Sequence, residues 1–254
     1  MLCKIYTIKI LYFCRRNNSR KSMGEKGHYV YDYWRPAVTA DIVVFSFDGT
    51  KLNVLLIKRG HEPYKDFWAF PGGFLDENET LEEAARRELK EETGLAPKFF
   101  NEVGSFSDLD RDPRGRTITI AFASVVRPNQ IKAVAGDDAK EARWFDIHKM
   151  PRLAFDHEKI CRMALWKLRL AFINSPVAFL LLGDTFTLPE MQRLYTHVFC
   201  KEFDRRNFQK KFLSSGILTP VAQSDEEKKS PHAPIHYRFN EAGYTQLREK
   251  MLRC

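Results

Sequence analysis

The sequence predicts an α+β protein: a mixed β-sheet with a strongly capped helix, followed by a smaller domain of helices and a β-hairpin. Three patterns support this class. Residues 38–47 and 51–59 are rich in β-branched and aromatic side chains and are joined by an Asp-Gly dipeptide, which is typical of a hairpin. Thr80 and Glu83 have the spacing of a capping box, so a helix is predicted to begin there. Beyond residue 174, two further helical patterns precede a second pair of short strand patterns.

The composition is that of a globular protein without a membrane span. The chain has 254 residues, of which 44% are apolar, enough for one large domain or two modest ones. No apolar run reaches the roughly 18 residues that a spanning helix needs, so no membrane partner is expected. The five cysteines are scattered without a C-x-x-C pair, at positions Cys3, Cys14, Cys161, Cys200 and Cys254. This pattern predicts free thiols in a reducing compartment, and we expect a cytoplasmic protein.

The net charge of +8 is distributed unevenly. Residues 1–26 contain seven Lys/Arg and one acidic residue, residues 27–184 contain 22 and 24, and residues 185–254 contain 12 and eight. We therefore interpret residues 1–26 as a basic, disordered extension. Its first 22 residues are either a basic arm or, the interpretation we favour, sequence upstream of a natural start at Met23. A secretory signal is not predicted, because no small-residue cleavage site follows the apolar positions.

The helix that follows Thr80 has an unusual inward face. At about 100° per residue, its apolar stripe contains Leu81, Ala84, Ala85 and Leu89, and the same stripe contains Glu88, Glu91 and Glu92. The opposite face is charged and contains Glu82, Glu83, Arg86, Arg87 and Lys90. Three inward carboxylates would repel one another and lose hydration, and a bound Mg²⁺ or Mn²⁺ is the usual compensation. The alternative interpretation is a solvated acidic helix end.

The spacing of the whole segment resembles a known motif. The matching residues are Gly73, Glu79, Arg87, Glu88, Leu89, Glu91, Glu92, Gly94 and Leu95. They agree with every defined position of the Nudix box, G-x5-E-x7-R-E-U-x-E-E-x-G-U. The resemblance implies an α/β/α Nudix sandwich and hydrolysis of a nucleoside diphosphate linked to another group. It also implies that Glu88, Glu91 and Glu92 hold the metal with help from the Gly73 carbonyl. Catalytic roles are expected for Glu88, as a possible base, and for Glu92, although some family members have the base in another loop.

Residues on either side of the box are candidates for substrate binding. Arg59 ends the second predicted strand and is either a phosphate ligand or a surface arginine. Asp112, Arg114 and Arg116 lie between predicted strands at 99–106 and Thr117–Val126, where arginine could bind pyrophosphate or simply belong to a charged hairpin loop. The segments RDPRGR, EARWF and PRLAFDH resemble the ADP-ribose pyrophosphatase branch of the Nudix family and also the Nudix-related transcriptional regulators.

The C-terminal part has the pattern of a winged helix-turn-helix. Thr187 and Glu190 form a second capping box, and a second helix is predicted from Asp204 to Gly216. Strands are predicted at 217–221 and His236–Phe239, separated by a long polar loop. The second helix is the expected DNA reader, through exposed Arg205, Arg206, Asn207, Lys210 and Lys211. The alternative is a basic, solvated helix in an accessory or dimerisation domain.

Two functions from different classes follow. The expected domains are the 1–26 extension, a Nudix domain at 27–174 and a winged-helix domain at 175–254, which resembles the C-terminal domain of the Nudix-related regulators of sugar and NAD metabolism. We predict a Mg²⁺-dependent hydrolase that converts ADP-ribose, or a related nucleoside diphosphate sugar, to AMP and a sugar phosphate. The alternative is a transcriptional regulator that senses such a ligand and binds double-stranded DNA. Both related groups imply a homodimer, which two-fold DNA half-sites would also require.

Overall fold

The computed structural model describes residues 32–127, 139–222 and 233–252. The predicted extension at 1–26, the acidic pair Asp137-Asp138 and most of the polar loop before His236 lie outside these ranges. The chain divides into two compact units, Met1–Arg35 and Pro36–Cys254. The fold below is that of the second unit.

A mixed sheet is the centre of this unit. Within the described ranges it has seven strands: β1 (Ala37–Phe47), β2 (Leu52–Arg59), β3 (Trp68–Ala69), β4 (Gly72–Phe74), β5 (Phe100–Phe106), β6 (Thr117–Val126) and β7 (Ala139–Asp146). Strand β1 pairs in parallel with β6 and antiparallel with β2 and β4. The predicted first hairpin is confirmed, because Phe47 pairs with Leu52 across the Asp-Gly turn.

Helices cover both faces of the sheet. Helix α1 (Leu81–Thr93) packs on one face, and α2 (His157–Asn174) with α3 (Val177–Leu182) packs on the other. Strand β1 alternates between the two cores, with Ile42 and Val44 in the α1 core and Val43 and Phe45 in the α2 core. The predicted α/β/α sandwich is therefore confirmed.

The ends of α1 confirm the sequence pattern. The Thr80 hydroxyl accepts from the Glu83 amide while the Glu83 carboxylate accepts from the Thr80 amide, so the capping box is complete. At the other end Gly94 adopts a left-handed conformation (φ 72°), which ends the helix and favours glycine.

The C-terminal part forms the predicted winged helix-turn-helix. Its elements are β8 (Phe186–Thr187), α4 (Leu188–Phe199), α5 (Arg205–Ser214), β9 (Leu218–Pro220), β10 (His236–Phe239) and α6 (Glu241–Leu252). The Thr187 capping box and the Asp204 cap of α5 are both present. Helices α3 and α6 and the short strands β3, β4 and β8 were not predicted, because each is either very short or has a weak apolar period.

The two parts of the unit share one hydrophobic core. Buried Phe45 of β1, Leu168 of α2, Met191 of α4 and Phe208 of α5 all belong to the same cluster. The turn between β1 and β2 contacts α4, because Arg193 donates to the Gly49 carbonyl at 2.9 Å. The predicted domain boundary near residue 174 stays a prediction. No helix in the described ranges is both long and apolar enough to cross a bilayer.

Candidate active site and nucleic-acid interface

An open cavity of about 320 Å³ lies where α1, β1, β4 and two loops converge. It is lined by residues of opposite charge and several aromatic rings: Thr39, Asp41, Ile57, Arg59, Phe70, Gly72, Gly73, Phe74, Asp76, Arg87, Glu88, Glu92, Arg111, Asp112, Arg114, Phe155 and His157. Six of the residues predicted from the sequence are among them, namely Arg59, Gly73, Glu88, Glu92, Asp112 and Arg114. Glu91 and Arg116 are not among the lining residues. The tertiary structure therefore brings most of the predicted substrate and metal residues to one place.

Glu88 lies at the centre of the α1 side of the cavity. Its carboxylate accepts from Arg87 Nη1 at 2.8 Å, and its side chain is 16% exposed. Burial raises the pKa of Glu88 above its ordinary value, although Arg87 opposes this shift. A Cβ added at Gly73 would lie 2.2 Å from Glu88 Oε1, so only glycine leaves room for this carboxylate.

Glu92 lies one helical turn further along α1 and is buried. Its Oε2 accepts from the Gly72 amide at 2.9 Å, which ties the helix to strand β4. Gly72 has φ 154°, and a Cβ there would lie 2.3 Å from the Ala40 carbonyl oxygen. The glycine pair at 72–73 thus lets the backbone approach both carboxylates.

The predicted inward orientation of Glu91 is wrong. Its side chain is 60% exposed, and its carboxylate accepts from Arg87 at 3.3 Å. The reason is that the buried face of α1 is centred on Ala85 and Glu92, which leaves Glu91 at its margin. Arg87, predicted on the outer face, instead reaches the cavity and also donates to Glu79 at 2.7 Å. The long arginine side chain bridges the glutamates, and their hydrogen bonds raise its pKa.

The donor chemistry of this region suits a hard divalent cation. Glu88 and Glu92 offer carboxylate oxygens to the same cavity, and burial of Glu88 makes its charge costly without a cation nearby. Over residues 32–127, 139–222 and 233–252, however, no three His, Cys, Asp or Glu side chains form a cluster that could hold a metal. The ligand set Gly73, Glu88, Glu91 and Glu92 therefore stays a prediction.

Two arginines, Arg59 and Arg114, line the same cavity. The Arg59 guanidinium lies 4.8 Å from the centre of the Phe155 ring, and the Arg114 guanidinium lies 5.0 Å from Phe74 and 5.6 Å from Phe155. Burial lowers the pKa of Arg59, and the nearby charge of Arg114 adds to the shift. Phe155 adopts φ 51°, a conformation that aromatic residues rarely take. Two cations held this close favour an anion between them, as a pyrophosphate would be.

Asp112 and Arg116 have structural roles in the predicted hairpin loop. Asp112 accepts from Arg114 Nη2 at 2.7 Å, and although burial opposes ionisation, these hydrogen bonds lower the pKa of Asp112. Asp112 therefore orients Arg114 in the cavity. Arg116 donates to the carbonyls of Ser107 and Asp108 and so holds the loop backbone, away from the cavity lining.

Sequence reasoning missed several charged or polar residues in the cavity, of which three are both buried and ionisable, namely Asp41, Arg111 and His157. Asp41 and His157 are buried, and Arg111 is paired with Asp156 at 2.8 Å. One signal was available, because Asp41 is the one charged residue in strand β1. Arg111 and His157 belong to the RDPRGR and PRLAFDH segments that carry the family resemblance, but no local pattern shows that these two segments meet at one cavity.

The predicted DNA-reading residues share one exposed helix. On α5, Phe208 is buried and Phe212 packs against the core. The proposed contact residues Arg205, Arg206, Asn207, Lys210 and Lys211 are all exposed. Asn207 and Lys211 also border a larger cavity between α5 and α6. The helix therefore displays a cationic surface, as binding to DNA phosphates requires.

Comparison with known proteins defines the class. Residues 35–163 match the model of the NUDIX domain, and residues 178–239 match the NrtR DNA-binding winged helix domain. The chain belongs to the NUDIX family and has an NrtR-like winged-helix domain at its C-terminal side.

The relatives include both an enzyme and a transcriptional repressor. The ADP-ribose pyrophosphatase of Methanocaldococcus jannaschii is 48% identical over 136 residues, which cover 53% of this chain and 77% of that protein. The ADPR responsive transcriptional repressor NtrR of Acinetobacter baylyi is 29% identical over 213 residues, covering 82% of this chain and 84% of that protein.

Solved structures give the same class. A MutT/nudix family protein from Enterococcus faecalis has a TM-score of 0.67 at 27% identity, covering 84% of this chain and 90% of that chain. NrtR from Shewanella oneidensis has a TM-score of 0.63 at 25% identity, covering 80% of this chain and 94% of that chain. Both matches extend well beyond the NUDIX domain into the C-terminal part.

Proposed function

We propose that this chain is a divalent-cation-dependent Nudix hydrolase that cleaves the pyrophosphate of ADP-ribose, or of a related nucleoside diphosphate sugar. The observation that supports this most is that Glu88, Glu92, Arg59 and Arg114 line one cavity. The M. jannaschii relative, an ADP-ribose pyrophosphatase, supports the choice of substrate. The products would be AMP and a sugar phosphate.

Different residues of the cavity bind the substrate and take part in the reaction. Arg59 and Arg114 bind pyrophosphate oxygens, and the rings of Phe74 and Phe155 hold both guanidiniums in place. A water oxygen attacks one phosphorus, the bond from that phosphorus to the bridging oxygen breaks, and the water proton passes to a carboxylate, for which we propose Glu88.

Glu88 and Glu92, with the Gly73 carbonyl and the exposed Glu91, are the groups that would hold Mg²⁺ or Mn²⁺. A bound divalent cation supplies neutralisation of the charge on the phosphate oxygens. Arg87 donates to both Glu88 and Glu79 and so would position Glu88 in the cavity.

AMP release from ADP-ribose, measured with and without Mg²⁺, tests this function directly. We expect metal-dependent turnover of about 1 per second or faster. Glu92→Gln is expected to lower kcat by about 100-fold or more, while Glu82→Gln, an exposed change on the same helix, leaves it unaltered. Unchanged turnover in Glu92→Gln would refute the assigned metal site. Tight binding of ADP-ribose without turnover would favour a sensor.

A second function, transcriptional regulation, is favoured by the winged-helix domain. The A. baylyi relative is an ADPR responsive transcriptional repressor, and the exposed cations of α5 provide a surface for DNA. In this proposal the cavity senses ADP-ribose or a sugar ligand, and α5 contacts double-stranded DNA. Two-fold half-sites would match a homodimer, which is also part of the proposal.

A gel-retardation assay with a DNA duplex selected from a random library tests the proposal that the protein is a regulator. Arg206→Ala should weaken binding and reduce the slope of log K against log salt by roughly one. Arg152→Ala, an exposed arginine before α2, should leave the slope unchanged. If no duplex is retarded in a sequence-specific way at moderate salt, the DNA-binding proposal is contradicted. That result would leave the hydrolase proposal unchanged.

A further inference from the structure

The cavity contains a histidine with a defined proton position. His157 is 3% exposed, and its Nδ1 accepts from the Phe70 amide at 2.9 Å. Burial lowers the pKa of His157 below its ordinary value, which favours the neutral ring. A neutral imidazole that accepts at Nδ1 must have its proton on Nε2. His157 therefore directs a single N–H donor from the Nε2 side of its ring.

Asp41 supplies an acceptor beside this donor. It is 8% exposed in the middle of β1, and its Oδ2 accepts from the Thr119 hydroxyl at 2.6 Å. The other oxygen, Oδ1, lies 3.8 Å from His157 Nε2. That distance is too long for a hydrogen bond, so the donor and the acceptor do not satisfy each other.

Neighbouring side chains fix the positions of His157 and Asp41. Phe70 stacks on the His157 ring at 5.5 Å and 14°. Arg111 Nη2 lies 3.7 Å from Asp41 Oδ2, and Arg111 is itself fixed by Asp156. The gap between the Nε2 donor and the Oδ1 acceptor is thus set by the fold.

One oxygen atom that lies to the side of the line joining Nε2 and Oδ1 can be at hydrogen-bonding distance, about 2.8 Å, from both atoms. The atom must accept from Nε2–H and donate to Oδ1 at the same time. A phosphate oxygen cannot donate and an ammonium cannot accept, whereas a hydroxyl does both. Phosphate is also repelled by the Asp41 carboxylate and attracted to Arg59 and Arg114, which line the same cavity.

We infer that Asp41 and His157 form a subsite that binds one sugar hydroxyl of the ligand and so selects sugar-linked pyrophosphates. This rests on the proposed function, because it requires that the cavity bind such a ligand. Both side chains line the same cavity as Glu88 and Arg114, so the hydroxyl lies within reach of a bound pyrophosphate. Specificity then comes from a buried polar pair that any ligand lacking the hydroxyl leaves unsatisfied.

Titration calorimetry with a set of ADP-ribose analogues, each lacking one ribose hydroxyl, tests this subsite. EDTA is included so that no turnover competes with binding. We expect one analogue to bind the wild-type protein roughly 10- to 100-fold more weakly than ADP-ribose, as loss of a hydrogen bond to a charged group implies.

Two variants identify the groups involved. Asp41→Asn and His157→Phe are each expected to bind ADP-ribose and that analogue with equal affinity. The use of two variants guards against one that fails to fold, which circular dichroism would reveal. Arg114→Ala is the matched control: it should weaken both ligands by the same factor and keep the wild-type discrimination.

The outcomes separate this subsite from the proposed function. If wild-type protein binds ADP-ribose and every analogue equally, the subsite is wrong and the proposed function stands. If both variants keep the discrimination but lower turnover of all substrates equally, the pair acts on water and the subsite is also wrong. If wild-type protein binds no ADP-ribose in EDTA and also releases no AMP from it with Mg²⁺, the proposed function fails and the subsite fails with it.

Discussion

In the NUDIX part several charged side chains of the cavity are buried, whereas in the winged-helix part the charged side chains proposed to contact DNA are exposed. The Arg111 side chain is 4% exposed and the Asp41 side chain 11%, and both are held by several partners. Arg205 and Arg206 at the start of α5 are exposed. A buried charge interacts strongly and specifically with its neighbours, but it needs partners. An exposed charge acts over a longer range and is screened by salt. The first arrangement suits a small ligand and the second suits a polyanion.

The two parts also differ in the side chains through which a helix packs, as α1 and α5 show. Helix α1 packs on the sheet with small and aliphatic residues such as Ala84, Ala85 and Leu89. Helix α5 packs through Phe208 and Phe212 against Tyr195 of α4, with ring centres 5.4 and 5.3 Å from it. A close backbone approach is needed where α1 brings carboxylates to the cavity. The position of α5 is set instead by large rings, which leave its outer face free for charge.

The largest expected effect tests the aromatic core under α5. Phe208→Ala should lower the free energy of unfolding by about 3–5 kcal/mol, because a 5% exposed ring is replaced by a cavity. Leu213→Ala, at a side chain that is 50% exposed on the same helix, should change it by less than about 0.5 kcal/mol. Chemical denaturation measures both. Equal effects would mean that α5 is not anchored by its rings.

The close backbone approach in the NUDIX part is tested next. Gly72→Ala should lower the free energy of unfolding by about 1–3 kcal/mol more than Gly104→Ala. Both glycines have nearly the same positive φ (154° and 149°), but only the new Cβ at 72 meets a backbone atom, the Ala40 oxygen at 2.3 Å. The comparison therefore isolates the steric contact from backbone strain. Equal losses, measured by thermal unfolding, would contradict the close approach.

A smaller effect is expected at the contact between the two parts. Arg193→Ala removes the bond to the Gly49 carbonyl and should cost about 1 kcal/mol of unfolding free energy. Arg152→Ala serves as the control, since Arg152 is exposed and lies outside this contact. If the two substitutions have the same effect in urea denaturation, the turn of β1 and β2 does not stabilise α4.

The smallest expected effect on stability is pH-dependent and comes from Asp48 in the turn between β1 and β2. Burial opposes ionisation of Asp48, but hydrogen bonds from Thr50, Asn53 and Lys51 outweigh it and lower the pKa of Asp48 to about 2. A lowered pKa stabilises the fold above the ordinary carboxyl pKa, and this stabilisation is lost as the pH falls towards 2.

Asp48→Asn measures this contribution. The wild-type protein should be more stable than Asp48→Asn at neutral pH, and the difference should shrink as the solution is acidified towards pH 2. A difference that is constant with pH would show that the ionised carboxylate is not what stabilises the turn.

Sequence patterns predicted local features well and the composition of the cavity only in part. The capping boxes at Thr80 and Thr187 and the hairpin before Leu52 are confirmed, because each depends on residues within a few positions of one another. The inward orientation of Glu91 failed, since helical period alone does not locate the centre of the buried face. Helix α3 was missed because its six residues, VAFLLL, are all apolar and therefore show no helical period.

By itself, the sequence determined the class of the protein and the elements that hold its motif. The Nudix box, its glycines and the winged-helix pattern depend on local backbone geometry and spacing, which neighbouring residues set. Only the tertiary structure placed Asp41, Arg111 and His157 together, as they come from β1, from the loop before β6 and from the start of α2. Residues so distant in the chain meet only when the sheet and helices pack. No local pattern could show which polar side chains that packing buries beside Glu88.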